Sequence, residues 1–262
     1  MHIVVLTKPV PDPAAAAERL DAEYRLDRAA SPAVINANDE YALEAALKLI
    51  EANGGEITLL TMAPAGGADT MRKALAMGAT RGILISDPAL VGSDTRSTTV
   101  VLATALRNLT YDLVLAGTDT SDGGGGVVPA GIAALLRLPY LSNAATIEPD
   151  ADTGRVKVRR ISPTGYDVLE APMPALIVCT QALGEPRYPS LRGIMAARSK
   201  ELGTRTLGDL GVEAAKVGGS VASTTVHATQ RPPARGATTV VRGTAEEGAD
   251  AIVALLADRR LI

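Results

Sequence analysis

The chain has 262 residues, enough to bury a full core as one large domain or one domain with an appendage. Aromatic residues make up 2%, with neither Phe nor Trp, and a net charge of −3 argues against non-specific nucleic-acid binding. A single cysteine excludes an internal disulfide, no apolar run reaches membrane-spanning length, and Met1 leads straight into a strand pattern, so a soluble, cytoplasmic protein is expected.

Apolar runs and helical patterns alternate along the first half. His2–Thr7 (HIVVLT) reads as a strand. Asp39–Glu51 reads as a helix, with Ala42, Leu43, Ala46, Leu47 and Ile50 on one stripe and Asn38 as the expected cap. Glu56–Met62 is a second strand, Ala68–Met77 a second helix, Gly82–Ser86 a third strand and Ser93–Asn108 a third helix. Leu113–Ala116 is strand four. It is followed by a polar and glycine-rich stretch, Gly117–Gly126, and then by a helix from Val127 in whose first turn Pro129 is tolerated. Repeated strand–helix units imply an α/β fold: a doubly wound, mostly parallel, Rossmann-like sheet of the adenine-nucleotide-binding type, with helices on both faces.

The pattern changes after Pro139. Val156–Arg160 alternates with period two, SPTGYD supplies turn chemistry, and Val168–Ala171 follows, which predicts an edge hairpin. Ala175–Thr180 is a buried strand carrying Cys179, read as an inert core thiol. Gly184–Lys200 is a Pro- and Arg-containing loop entering a short helix. Thr204–Thr244 is too poor in apolar residues to form a core, and a last helix spans roughly Ala245–Leu256. The domain reading is therefore an α/β unit over 1–203 that includes the 184–200 loop, with 204–262 as an extended arm and helix packed on a partner.

Strand, glycine loop and helix in that order make an anion site, because main-chain N–H groups at a helix start point at a phosphate. A glycine run also suits a plain flexible link. Leu6, Thr7 and Lys8, the strand-two end Thr61–Ala63, the Asn36–Asp39 segment and the Gly117–Val128 loop are expected to meet at one sheet edge, where small residues and N–H groups suit a mononucleotide. Asp119 and Asp122 would repel a phosphate if they pointed inward, so a ribose contact or a capping role is open for one of them. Lys8 either neutralises the phosphate or is solvated. In the 184–200 loop, Leu191 and Met195 stand among Arg187, Arg192, Arg198 and Lys200. An apolar anchor in a basic rim suits protein docking, unless the leucine folds back onto the core. There is no G-x-S-x-G elbow, metal-ligand spacing or Walker lysine, and His2 and His227 stand away from the loop, so no catalytic residue is assigned.

Taken in order, IVVLTKPVPDP, INANDEYALEAAL, RKALAMGATRGILI, GTDTSDGGGGVVPAGIA and EPRYPSLRGIMAARSK resemble the β subunit of electron transfer flavoprotein, close to the actinobacterial type, over about Met1–Lys200. The resemblance implies a heterodimer with an α subunit that carries most of the redox-active FAD, and AMP as a structural ligand of this subunit. It implies AMP contacts at Leu6, Asn36, Ala37, Asn38, Asp39, Met62, Gly117, Thr118, Asp119, Thr120, Ser121, Asp122, Gly123, Gly124, Gly125, Gly126, Val127 and Val128. It further implies docking of acyl-CoA dehydrogenases by Leu191, with Met195, Arg198 and Lys200 beside it, and onward electron flow to a membrane quinone oxidoreductase in fatty acid oxidation. The family's loop often has Gln after its first glycine pair and Asp-Thr-Ala-Gln-Val before the helix. Here Asp119 and Gly124–Val127 stand there, which implies main-chain phosphate contacts. Two alternatives stay open: a bifurcating relative with a second FAD in the AMP site, and an ATP- or AMP-sensing nucleotide-binding module.

Overall fold

The computed structural model describes residues 1–262 except 16–18, 231, 232, 234, 235 and 237. Part of the predicted 204–262 arm therefore lies outside the described residues. Two units are distinguished, Met1–His227 and Ala228–Ile262.

In the first unit, the apolar run HIVVL makes β1 (His2–Leu6), buried from Ile3 onward. A small antiparallel pair follows, β2 (Pro9–Pro11) and β3 (Ala33–Ile35). Next come α1 (Ala37–Asn53), β4 (Glu56–Met62), α2 (Gly67–Met77), β5 (Arg81–Ile85), α3 (Thr95–Arg107), β6 (Leu113–Gly117) and α4 (Val128–Leu136). Each agrees with its predicted element to within about two residues at either end. Pro129 sits in the first turn of α4, where its missing N–H costs nothing. Asn38 is not the cap of α1. The capping position belongs to Asn36, without a side-chain cap bond, and both asparagine side chains are drawn to the loop after β6 instead.

The remaining strands are β7 (Tyr140–Asp150), β8 (Arg155–Ser162), β9 (Gly165–Pro172) and β10 (Ala175–Cys179). The short helix α5 (Leu191–Ala197) and β11 (Leu202–Arg205) complete the set. All but β2 and β3 form one nine-stranded sheet in the order β11-β5-β4-β1-β6-β10-β7-β8-β9. It is parallel from β11 through β7 and antiparallel across β7, β8 and β9, which is the predicted edge hairpin with one more strand. The unpredicted β7 pairs with β10 through its first half and β8 through its second, shifting register on both sides near Asn143, whose φ is 54°. A strand that changes partners at a bulge has no clean two-residue alternation to read.

Side chains of β1, β4, β6 and β10 point alternately to two apolar layers. Ile3, Val5, Leu59, Leu113, Leu115 and Ile177 pack with α1 and α2, and Val4, Leu60, Val114 and Leu176 pack with α3 and α4. Cys179 lies in the first layer, buried as expected. The stretch after Thr204 gives Thr204 and Arg205 to β11, and places Leu207 and Val217 in the second layer. The second unit holds α6 (Ala245–Asp258), started by a capping box between Thr244 and Glu247.

Leu115 is fully buried at the middle of the central strand β6. Leu115→Ala is expected to cost about 2–5 kcal/mol of unfolding free energy, read by chemical denaturation, with little change in far-ultraviolet circular dichroism.

Candidate functional site

The chain leaves β1 for β4 on one side and returns to β6 on the other, so the strand order reverses between β1 and β6. A crevice opens beyond the carboxyl ends of strands at such a reversal, and ligands of doubly wound sheets sit there. Three segments converge on it: Leu6–Lys8 at the end of β1, Asn36–Asp39 at the start of α1, and the loop from Gly117 to Val128. The start of α1 touches the end of β6 directly. A Cβ on Gly117 would stand 2.6 Å from the Asn38 main-chain carbon and 2.6 Å from Asp39 Oδ1.

Asn36 is buried, and its amide ties the loop down from both sides. Nδ2 donates to the Asp119 carbonyl at 2.7 Å, and Oδ1 accepts from the Ser121 N–H at 3.2 Å. Asn38 Nδ2 donates to Asp119 Oδ1 at 2.6 Å. Asp39 is also buried and accepts from the Lys8 N–H at 2.8 Å. Burial pushes its carboxyl up to about 7, against donors from Asn36 and the Lys8 and Gly117 main chain that pull it down. The Thr7 and Thr61 hydroxyls meet at 2.6 Å, joining the ends of β1 and β4.

Lys8 is not simply solvated. Its Nζ donates to Asp122 Oδ1 at 2.7 Å and Thr120 Oγ1 at 3.3 Å. Arg28 Nη2 holds the other Asp122 oxygen at 3.1 Å while Nη1 bonds the Pro9 carbonyl. The Asp122 side chain is 3% exposed. Its burial raises the pKa, but the bond to Lys8, the charges of Lys8 and Arg28 and a bond from Thr120 outweigh that and hold it below the usual carboxylate range. Neither acid of the loop is left bare: Asp119 faces an asparagine amide and Asp122 two cations. Arg28 was not among the sequence candidates. It comes from an aperiodic stretch with no strand or helix pattern to aim it, so no sequence signal marks it.

Within the loop, the Gly123 and Gly124 amides close a turn on the Thr120 carbonyl. Gly124 and Gly126 take φ of 56° and 60°, and a Cβ on Gly126 would press on the Thr118 carbonyl at 3.1 Å. The amides of Gly125, Gly126, Val127 and Val128, running into α4, have no hydrogen-bond partner among the described residues. Leu6 is buried and Met62 half-buried at the ends of β1 and β4, while Ala37 is exposed and Thr118 half-buried. A cavity of about 410 Å³ opens elsewhere, beside Asn143, Ile161–Pro163 and Thr180–Ala182, and its lining has no titratable side chain.

The second predicted site is carried by α5 and the segment before it, which lie on α1 and α2. Leu191 is 75% and Met195 65% exposed, so the leucine does not fold back onto the core. Tyr188 and Ile194 extend the apolar patch, and Arg198 is exposed beside it. Lys200 differs: its Nζ donates to the Leu75 and Ala79 carbonyls at 3.0 and 2.6 Å, where α2 ends, so its charge is engaged within the chain.

A profile of the electron transfer flavoprotein domain matches residues 25–210. The chain is 38% identical over 264 residues to the electron transfer flavoprotein subunit beta of Mycobacterium bovis, covering 98% of each, and 39% identical over 240 residues to that of Mycobacterium leprae, covering 89% and 90%. It is 33% identical over 272 residues, all of both chains, to the caffeyl-CoA reductase-Etf complex subunit CarD of Acetobacterium woodii.

A carboxyl whose pKa is raised on folding stabilises most fully below its unfolded value near 3.8 and loses that contribution as pH rises through about 7. The unfolding free energy of the parent chain minus that of Asp39→Asn is therefore expected to fall between pH 4 and 7.5, by on the order of 4 kcal/mol, and to level off above it. Denaturant titrations of both proteins across that range check the slope and its sign.

Proposed function

The chain belongs to the electron transfer flavoprotein β-subunit family, an electron-carrier family, and from that premise we propose that it pairs with an α subunit, binds AMP as scaffolding and docks dehydrogenases. The observation that carries the reading is the crevice between β1 and β6. Four consecutive main-chain amides at the start of α4 offer donors for a phosphate, and Lys8 and Arg28, two cations sharing the single charge of Asp122, leave the loop a positive balance. Glycines at 123–126 keep side chains out of that cradle, and the apolar Leu6 and Met62 offer walls for a base. This donor set fits an adenylate: it is rich in N–H groups, and its acids are already paired.

AMP supplies no redox chemistry, and FAD held mainly by the α subunit supplies it when bound. This chain's own part is to shape the crevice and to present Leu191, with Met195 and Arg198 beside it, to an acyl-CoA dehydrogenase. Electrons then pass to the α-subunit flavin and on to a membrane quinone oxidoreductase. The second unit, Ala228–Ile262, rests on the α subunit in this reading, while the stretch before it, with Leu207 and Val217, packs on this chain's own core.

Purifying the complex with its α subunit, denaturing it and identifying every released nucleotide tests the crevice. One FAD and one AMP per heterodimer are expected, two FAD would replace the AMP assignment with the bifurcating one, and FAD alone would overturn nucleotide binding by this chain. For the loop, Leu191→Ala is expected to slow dehydrogenase-driven flavin reduction at least tenfold with heterodimer yield and flavin content intact. Stopped-flow absorbance reads this, and unchanged kinetics would remove the docking role.

A further inference from the structure

The segment that leads into Leu191 is fastened to the core by one arginine. Arg187 Nε and Nη2 fork onto the two oxygens of Glu44 at 2.8 and 3.0 Å, and the Arg187 main-chain N–H reaches Glu44 Oε2 at 3.1 Å. Nη1 and Nη2 also hold the two oxygens of Glu51, the latter at 3.0 Å. Glu44 and Glu51 stand two turns apart on α1. Between them, Lys48 Nζ donates to the Leu183 carbonyl at 3.1 Å. One face of α1 thus grips residues 183–187 through three side chains.

The far end of the loop is fastened as well. Arg72 of α2 donates to the Ala197 carbonyl at 2.8 Å and also to that of Lys200, and Lys200 returns two bonds to the end of α2. A Cβ on Gly193 would stand 2.3 Å from the Ala76 carbonyl, so α5 lies directly on α2. Between these anchors, Tyr188, Leu191 and Met195 are exposed by 94, 75 and 65%.

The Glu44 side chain is only 5% exposed. Removing a carboxylate from water is costly unless it is paired and fully hydrogen-bonded, and replacing such a pair with apolar side chains is often neutral for stability. A fork that meets a buried carboxylate from the surface is therefore better suited to fixing geometry than to adding stability. We infer that Arg187, clamped by Glu44 and Glu51, is a positioning residue that holds Leu191 in its docking pose before any dehydrogenase arrives. Without the clamp, residues 184–190 would have to be ordered during docking, and that entropy would be lost from affinity. The inference rests on the docking role proposed above for Leu191.

The test uses the full heterodimer with a medium-chain acyl-CoA dehydrogenase and its acyl-CoA substrate. Arg187→Met is expected to raise the half-saturating flavoprotein concentration about tenfold, with kcat within twofold of the parent. Amides 187–197 should exchange faster without the dehydrogenase present, while those of β1 and β4 are unchanged. Arg187→Lys, which keeps the charge but loses the fork, should lie between the two. Glu51→Gln, at the solvent end of the clamp, should raise KM two- to threefold and serves if Arg187→Met does not fold. Unchanged KM or unchanged loop exchange in these variants would overturn the clamp, as would a fall in kcat at constant KM. Failure of the docking reading is distinguishable: Leu191→Ala would leave transfer unaltered, while the exchange measurement would still report on the clamp.

Discussion

Residue 117 has no room for a side chain, and the candidate site depends on that. Because a methyl group there would collide with the Asn38 backbone, the first turn of α1 lies directly on the end of β6. That contact brings the buried Asn36 amide within reach of the loop that follows, and the two bonds from Asn36 fix the loop's exit from the sheet. The glycines further along are free to curve only because their base is held. The two segments are about 80 residues apart in sequence, and a crossover helix and a strand end are matched across that distance by one missing carbon atom.

Charge follows a single scheme at both sites. A carboxylate almost wholly removed from solvent, Asp122 in one case and Glu44 in the other, is met by cations reaching in from irregular segments. Lys8 and Arg28 each take one oxygen of Asp122, and Arg187 brings its whole guanidinium. Irregular segments carry few apolar contacts of their own, so a buried acid gives each of them a directional attachment point that hydrophobic packing cannot provide. Both loops are held without being sunk into the core, which leaves their neighbours exposed.

Much of the fold was legible because the sheet's centre obeys local rules. Runs such as HIVVL and EITLLTM are buried on both faces and carry no competing helical period, and the α1 and α2 stripes face one layer. Legibility failed where structure depends on partners distant in the chain. Tyr140–Asp150 switches partner at a bulge, and Leu202–Arg205 is too short to show a period. At the site, the crevice segments and the exposed leucine were readable from motif order. The pairing of Asp122 with Lys8 and Arg28 was not, since nothing in an aperiodic stretch tells where an arginine will point. Glu44 did leave a trace: an acid set in the run YALEAALKLI, beside the apolar stripe, needs a cation from somewhere, though the sequence does not say which.

The place of β11 bears on how the molecule is made. It pairs with β5, which is complete some 120 residues earlier, so while the polypeptide is emerging from the ribosome β5 is a bare edge with its ladder groups unmet. The sheet acquires its last parallel strand only after the hairpin, β10 and the α5 turn have been synthesised. Biogenesis thus passes through a stage in which the crevice between β1 and β6 can already be assembled while one flank is still open to pairing with a neighbouring chain. Delivery of residues 202–205 closes that interval.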